Sequence, residues 1–564
     1  MKLIRLCLLL GCLCIAPKAI AQLSTNEKPI SFTMDSKQSD GFRDKIPTVT
    51  MPQLDLAKIE AEDKEDEKYD VPPRFAYPHR LNYNLNNSGV WHELPNGDRL
   101  WQLNVVCPEA KSVNFLYDKF WIPEGGKLFV YTKDKKHAIG AFTARNNKGT
   151  REELRGFATG LLYGNDVILE YFQPKEVTSD AIISISSVNH GYRDINTLGA
   201  SGDCQVNVNC SEGQNWQNEK NAVARIIING IRHASGFLIN TTDQSRTPYL
   251  LTADHIIKPV LGDNSYYDAV VAPNFDSILF DWAYETPGCN NIIEEPNYYT
   301  TSGAVVVANN VDSDFALLRL IEDPKYINGY TPYYLGWDCS GATGTPGVCI
   351  HHPRGDVKKI STVLYPLVAS TYGLEEYNHW LVKWKATENG YGTVEGGSSG
   401  SPLLNGEHKV VGQLHGSNAD CFSLNGNSHF GKFDVSWTGN GNDSIARRLN
   451  CWLDSLGTGQ QTLKGLLVIK SAKTLNVADT LYNNLCVANG GQLTAQNDMD
   501  MTNCSVIVDA GGRLIVNGAT LTNMNLVLKP GGALQIVNGG VISTTNGFEA
   551  PLGATVDIEN GQIL

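Results

Sequence analysis

The chain carries no basic excess to offer a polyanion. Its 46 Lys and Arg stand against 59 Asp and Glu, a formal net charge of −13, which argues against a nucleic-acid partner. It has no Cys-x-x-Cys pair and no His-x-x-x-His spacing, so a structural zinc site is not expected. No other metal and no cofactor is expected either. Beyond the first residues no stretch reaches the ~20 apolar residues of a membrane span, so no transmembrane segment is expected.

What stands at the start reads as an export signal. Lys2 and Arg5 precede an apolar run from Leu6 to Ile15, and Ala19-Ile20-Ala21 forms a small-x-small cleavage site before Gln22. Residues 1–21 are therefore assigned as a signal peptide, and the mature chain is expected to be secreted, periplasmic or at the cell surface. Leu9-Leu10-Gly11-Cys12 resembles a lipoprotein box, but the apolar run before Cys12 is too short. Of 13 cysteines, three (Cys7, Cys12, Cys14) leave with the signal, and the ten that remain favour disulfides in an oxidising compartment.

A length of 564 residues predicts three or four domains at ~150 residues each. Residues 22–73 are polar, and the charge-dense run from Lys58 to Asp70 predicts a solvated linker. Residues 74–198 show short alternating runs with turn residues between them, the pattern of a β-sandwich. Residues 199–458 are again strand-rich, with one helix expected over Asp443 to Leu456 and Leu449, Trp452 and Leu456 on one side. Residues 465–564 repeat. Gly-Gly pairs recur at 490/491, 511/512 and 531/532 with Gly553 in phase, each followed by a β-like run. This period predicts a β-solenoid, with a small β-sandwich as the alternative. Cys486 and Cys504 could staple neighbouring rungs.

Three motifs fall inside 199–458. Gly397-Ser398-Ser399-Gly400-Ser401-Pro402 can hold a serine hydroxyl on a tight turn, with backbone N–H groups converging on one point. Leu251-Thr252-Ala253-Asp254-His255 and Asp312-Ser313-Asp314-Phe315 precede it. The order His, Asp, Ser is one of three chain orders known for serine nucleophile chemistry. Each motif is common alone; their joint occurrence in one all-β segment is not.

With Gly199-Ala-Ser-Gly-Asp-Cys204, Ile350-His-His-Pro353, Gly412-Gln-Leu-His-Gly416 and Ser436-Trp-Thr-Gly439, these motifs make the segment resemble a chymotrypsin-fold serine protease, most closely the bacterial lysyl endopeptidases. The resemblance extends more weakly over a propeptide-like region before it. It implies a mostly β, double-barrel fold and a protein or peptide substrate. It implies Ser399 as nucleophile, His255 as general base and Asp314 as its orienting carboxylate, with an oxyanion hole at the N–H groups of Gly397 and Ser399. Ser398 and Asp312 are assigned structural roles. Ser398 also stands where trypsin-like zymogens carry an activating aspartate, so activation through that ion pair is not expected.

The resemblance implies the bridges Cys204–Cys421 and Cys210–Cys289. A third family bridge would join positions held here by Ala234 and Ile256, and both partners are missing together. Cys339 and Cys349 are a candidate replacement staple, and Cys107 and Cys451 have no assigned partners. The register departs from the family at the specificity pocket. Its lysine-binding aspartate falls on Ser428, and the position six before the nucleophile is Thr393. The family's stacked tryptophan appears as Tyr372, over a retained His415. The maturation junction falls at Leu198-Gly199, away from any basic residue. Glu395 and Asp420 are near enough in sequence to supply a charge, while His415 with Thr393 would suit an acidic or polar side chain. The leading reading is a secreted serine endopeptidase of uncertain P1 preference. The alternatives are a catalytically silent surface-binding or adhesion protein and an esterase, the latter disfavoured by the missing α/β pattern. The C-terminal domain is a candidate for binding cell envelope or carbohydrate.

Overall fold

The computed structural model describes residues 21–22, 27–34, 46–66, 71–193, 201–258, 274–291, 296–364, 366–373 and 375–564. Nearly all of the expected signal peptide and the 198–199 junction lie outside these residues.

Two antiparallel-rich sheets pack face to face between Thr48 and Gly191. The alternation expected there is explicit. Trp101, Leu103 and Val105 of the strand Arg99–Val106, Leu128 and Val130 of Lys127–Thr132, and Val167, Leu169 and Tyr171 of Asp166–Gln173 all enter one core. The described part of the charge-dense run, Lys58 to Asp66, departs from the solvated linker expected. Leu56–Asp66 is a helix, and Asp63 is buried on it. The reason is a waiting cation: Arg74 donates from Nε to Asp63 Oδ1 at 2.8 Å and from Nη2 to Glu62 Oε2 at 3.2 Å.

The central unit is built from two further sheets. One contains Val223–Ile228, Arg232–Leu238, Tyr249–Thr252 and Phe315–Leu320. The other contains Val348–His351, Glu375–Val382, Pro402–Leu404, Lys409–Ser417 and Ser428–Lys432. This is the mostly β, two-sheet arrangement implied by the resemblance. The Cys204–Cys421 and Cys210–Cys289 bridges are both formed. Ala234 and Ile256, at the missing third bridge, are buried in the unit's apolar core instead.

Three expectations fail here. The helix over 443–456 reduces to a 3-10 turn Ile445–Arg447 and a single turn Asn450–Leu453. The Leu449 N–H is taken by Ser436 O at 3.0 Å, which interrupts the helical ladder. Cys339 and Cys349 are free and buried in different cores, Cys349 on a central strand among Val363, Trp380 and Leu403. Cys486 and Cys504 are also free. Cys486 stands in register with Ile507 on the next rung. Cys504 is three residues along, ~10 Å at strand rise, beyond the span of a disulfide.

The tail is a β-solenoid of two parallel sheets. Leu493, Leu514, Leu534 and Val556 stack in register through successive rungs. Gly490 N donates to Gly511 O, Gly511 N to Gly531 O and Gly531 N to Gly553 O, at 2.9–3.1 Å. All four glycines have φ between +76° and +89°, a conformation a side chain would strain. Leu466, Val468 and Cys486 of the first rungs share the core of the central unit.

Candidate active site

His255 opens the short helix Asp254–Ile257, directly after the strand Tyr249–Thr252. Asp314 sits at φ +53° in the turn before Phe315–Leu320, a strand that pairs with Tyr249–Thr252. The pairing brings the two together. Asp314 Oδ1 accepts from the His255 peptide N–H at 2.8 Å, and Oδ2 lies 2.7 Å from His255 Nδ1. Burial acts to raise the Asp314 carboxyl, but His255, His415 and the bonds from His255 outweigh it and hold the group below its usual range. The decoys separate cleanly. Asp312 is half exposed and accepts from Asn440 Nδ2, while Asp254 is taken by Asn309 and Lys258.

The serine turn docks on the strand Arg232–Leu238, which pairs with the strand leading to His255. Ser235 N donates to Ser399 O at 2.9 Å, and Ser235 Oγ donates to Gly397 O at 2.9 Å. Gly400 has φ +80°, and a Cβ there would lie 2.2 Å from Thr252 Oγ1 and 2.9 Å from Ala253 N. Only glycine lets the serine turn and the histidine turn touch. The three serines of the turn differ in exposure and partners. Ser398 is fully buried, with its Oγ 2.8 Å from His351 Nδ1. Ser401 is fully buried and donates to Ser398 O. Ser399 is half exposed and lines a cleft of about 570 Å³. Among the described residues no acceptor takes the N–H groups of Gly397 and Ser399.

The expected pocket residues divide. Tyr372 and His415 line the cleft with Ser399. Tyr372 meets His415 edge-on at 4.8 Å and 77°, and stacks instead on His429 at 4.5 Å and 20°. His415 lies nearly parallel to His255, 5.7 Å away. Thr393 and Ser428 are fully buried behind the lining. Ser428 Oγ accepts from Trp384 Nε1 and bonds to the lining residue Ser417. The two candidate acids are engaged differently. Glu395 Oε2 accepts from Gly202 N and Gln205 Nε2, and its Oε1 accepts from Arg354 Nε. Asp420 Oδ1 accepts from the N–H groups of Phe422 and Ser423.

Sequence reasoning missed the other wall of the cleft. Val71, Pro72, Pro73 and Arg74 line it together with Ser399 and His415. His233 N donates to Pro73 O at 3.2 Å and Phe75 N to Ile231 O at 2.8 Å, so the segment adds an extended partner to the strand that carries Ser235. Arg232 donates to Pro72 O and pairs with Asp66 at 2.6 Å, which fastens the segment on both sides. It also missed His379, on an alternating strand where no motif marks it.

Residues 198–433 match the family model described as lysyl endopeptidase, C-terminal domain. The central unit resembles the lysyl endopeptidases. The lysyl endopeptidase of Pseudomonas aeruginosa is 28% identical over 295 residues, which cover 47% of this chain and 58% of that protein. The chain thus spans under two thirds of this relative's length. Among solved structures, the inactive form of the Rv3671c protease aligns at 15% identity with a TM-score of 0.24, over 39% of this chain and 87% of that one. The HtrA-type protease AlgW with tripeptide aligns at 15% identity with a TM-score of 0.26, over 39% and 60%. At such scores these two likenesses say nothing of activity.

Proposed function

We propose that this chain is the precursor of a secreted serine endopeptidase, held latent by its own 71–75 segment. The observation that carries the reading is the clamped His255–Asp314 pair packed backbone to backbone against the turn that presents Ser399. In the reaction, Ser399 Oγ adds to the substrate carbonyl carbon as His255 Nε2 takes its proton. Asp314 holds Nδ1–H and stabilises the imidazolium. The developing oxyanion is received by the N–H groups of Gly397 and Ser399, each such donor contributing ~3 kcal/mol. His255 then gives its proton to the leaving amine, and water releases the acyl group by the reverse path.

Lysine preference is not part of this reading. Thr393, Ser417 and Ser428 bring no charge, and Glu395 is paired with Arg354. Asp420, also in the lining, is half exposed and held through Oδ1 by the N–H groups of Phe422 and Ser423, so no buried carboxylate stands ready for an ammonium. The reading therefore predicts cleavage after uncharged or polar residues.

The test is covalent labelling. Protein freed of residues 22–198 and shown to be folded is treated with a fluorophosphonate, and the label is located by mass spectrometry. Label on Ser399 that vanishes in His255→Ala supports the endopeptidase. Folded protein that takes no label is the binding scaffold instead. Label on Ser399 with ester but no peptide hydrolysis marks an esterase. A peptide library cut strongly after lysine would overturn the pocket reading alone.

A further inference from the structure

Beside His255 and Asp314 stands an imidazole pair, His415 in the cleft lining and His379 buried behind it. The strand Lys409–Ser417 bulges between Leu414 and Gly416, so His415 is the extra residue and its ring is turned toward the cleft. His415 Nε2 comes within 3.7 Å of Asp314 Oδ2. Its other nitrogen, Nδ1, lies 2.8 Å from His379 Nε2. His379 is 1% exposed, and its own Nδ1 has no hydrogen-bond partner among the described residues. Burial, then His415, pulls its pKa down to about 4, so it is a neutral ring at neutral pH.

Hydrogen counting fixes the direction of this contact. A neutral imidazole has one N–H and one lone pair. If His415 donated to His379, the His379 proton would sit on Nδ1, a buried donor with nothing to accept it. The His415 Nε2 lone pair would then face the Asp314 carboxylate. If His379 donates from Nε2, only a lone pair is left without a partner, and His415 carries its proton on Nε2, toward Asp314. The second arrangement avoids both penalties, and an unmet buried donor alone costs ~1–3 kcal/mol.

We propose that His379 is a positioning residue for the triad. By donating to His415 Nδ1 it keeps the His415 N–H directed at Asp314. The titratable groups packed around His379 are Tyr372, His415 and His429 from three strands, with Asp314 beyond His415. None of the others supplies a donor to His415 Nδ1 among the contacts described.

This inference rests on the endopeptidase reading, and the experiment separates the two. Processed enzyme is compared with His379→Phe and His379→Gln by the second-order rate of fluorophosphonate inactivation from pH 5 to 8, with thermal melting as the folding check. Phe removes the donor, and the glutamine amide restores one. The expected result is a roughly tenfold slower His379→Phe variant with a changed acid limb, because the His415 N–H is no longer held on Asp314. His379→Gln keeps most of the rate and the wild-type limb. If His379→Phe does not fold, His379→Leu takes its place. An unchanged rate and limb in the donor-less variant overturns the proposal. So does an equal loss in both variants with the wild-type limb, which would mark a packing role. A wild-type enzyme that never reacts at Ser399 sinks the endopeptidase reading itself.

Discussion

The central unit and the solenoid are both built almost wholly of strands, yet they are held together by different means. The core of the central unit is interrupted by polar groups that must be met. Arg225 is fully buried against Asp281 and over the Tyr284 ring, and Asp356, Lys358, His351 and His352 are all inaccessible. The solenoid core is a ladder of Leu, Val, Ile and Met, each stacked on its counterpart one rung away. All 12 histidines lie before residue 430, and none lies in the repeats. A repeat needs only identical neighbours to bury an apolar stripe. A catalytic cleft needs unlike groups fixed at short range, so it carries buried polarity that must be satisfied residue by residue. Three substitutions or conditions should separate the two regions.

The largest effect should come from Asp314→Asn. Asparagine keeps the shape but cannot hold the Nδ1–H tautomer of His255 or stabilise its cation. The labelling rate at Ser399 should fall by about ten-thousand-fold. The solenoid's hydrogen-exchange protection should not change. A loss below tenfold would show that His255 is oriented by other means, and the contrast with the solenoid would weaken.

That contrast also explains what could be read in advance. The solenoid was legible because its period is written in glycine, and the predicted pairs at 490, 511 and 531 with Gly553 are the residues that hydrogen-bond rung to rung. The serine turn was legible because its glycines are constrained: Gly397 and Gly400 have no room for a Cβ. Cysteine pairing was legible only through register. Cys204–Cys421 spans 217 residues and is formed, whereas Cys339 and Cys349, close in sequence, point into different cores. The strap at 71–75 and His379 left no sequence signal. Both act through contacts with residues over a hundred or about thirty-five positions away, which no local pattern encodes.

A smaller effect is expected from Leu514→Ala. Leu514 is fully buried and sits in register between Leu493 and Leu534. Truncation should remove about 2–5 kcal/mol from the solenoid. Nearest-neighbour stacking confines the loss to adjacent rungs, so calorimetry should show a lower solenoid transition with labelling at Ser399 intact. A fall in both would show that the core shared through Leu466 and Val468 couples the regions more tightly than the repeat model allows.

The gentlest test is acid. Burial, followed by neighbouring cations, holds His233 and His351 at about 3 in the folded protein, against about 6.5 in an unfolded chain. Both are folded as neutral rings. Above about pH 6.5 neither state takes a proton, and the stability is present in full. As the pH falls from 6.5 toward 3 the unfolded chain binds protons the folded one refuses, so stability drops, by at most about 1.4 kcal/mol per unit for each ring. The solenoid has no histidine, and ordinary carboxylates scarcely titrate above about pH 5.5. Between about pH 6.5 and 5.5 the central unit's denaturant midpoint should therefore move down while the solenoid's stays in place. Equal movement of the two would mean that the buried imidazoles are reached by water, and that the polar core is less closed than its contacts imply.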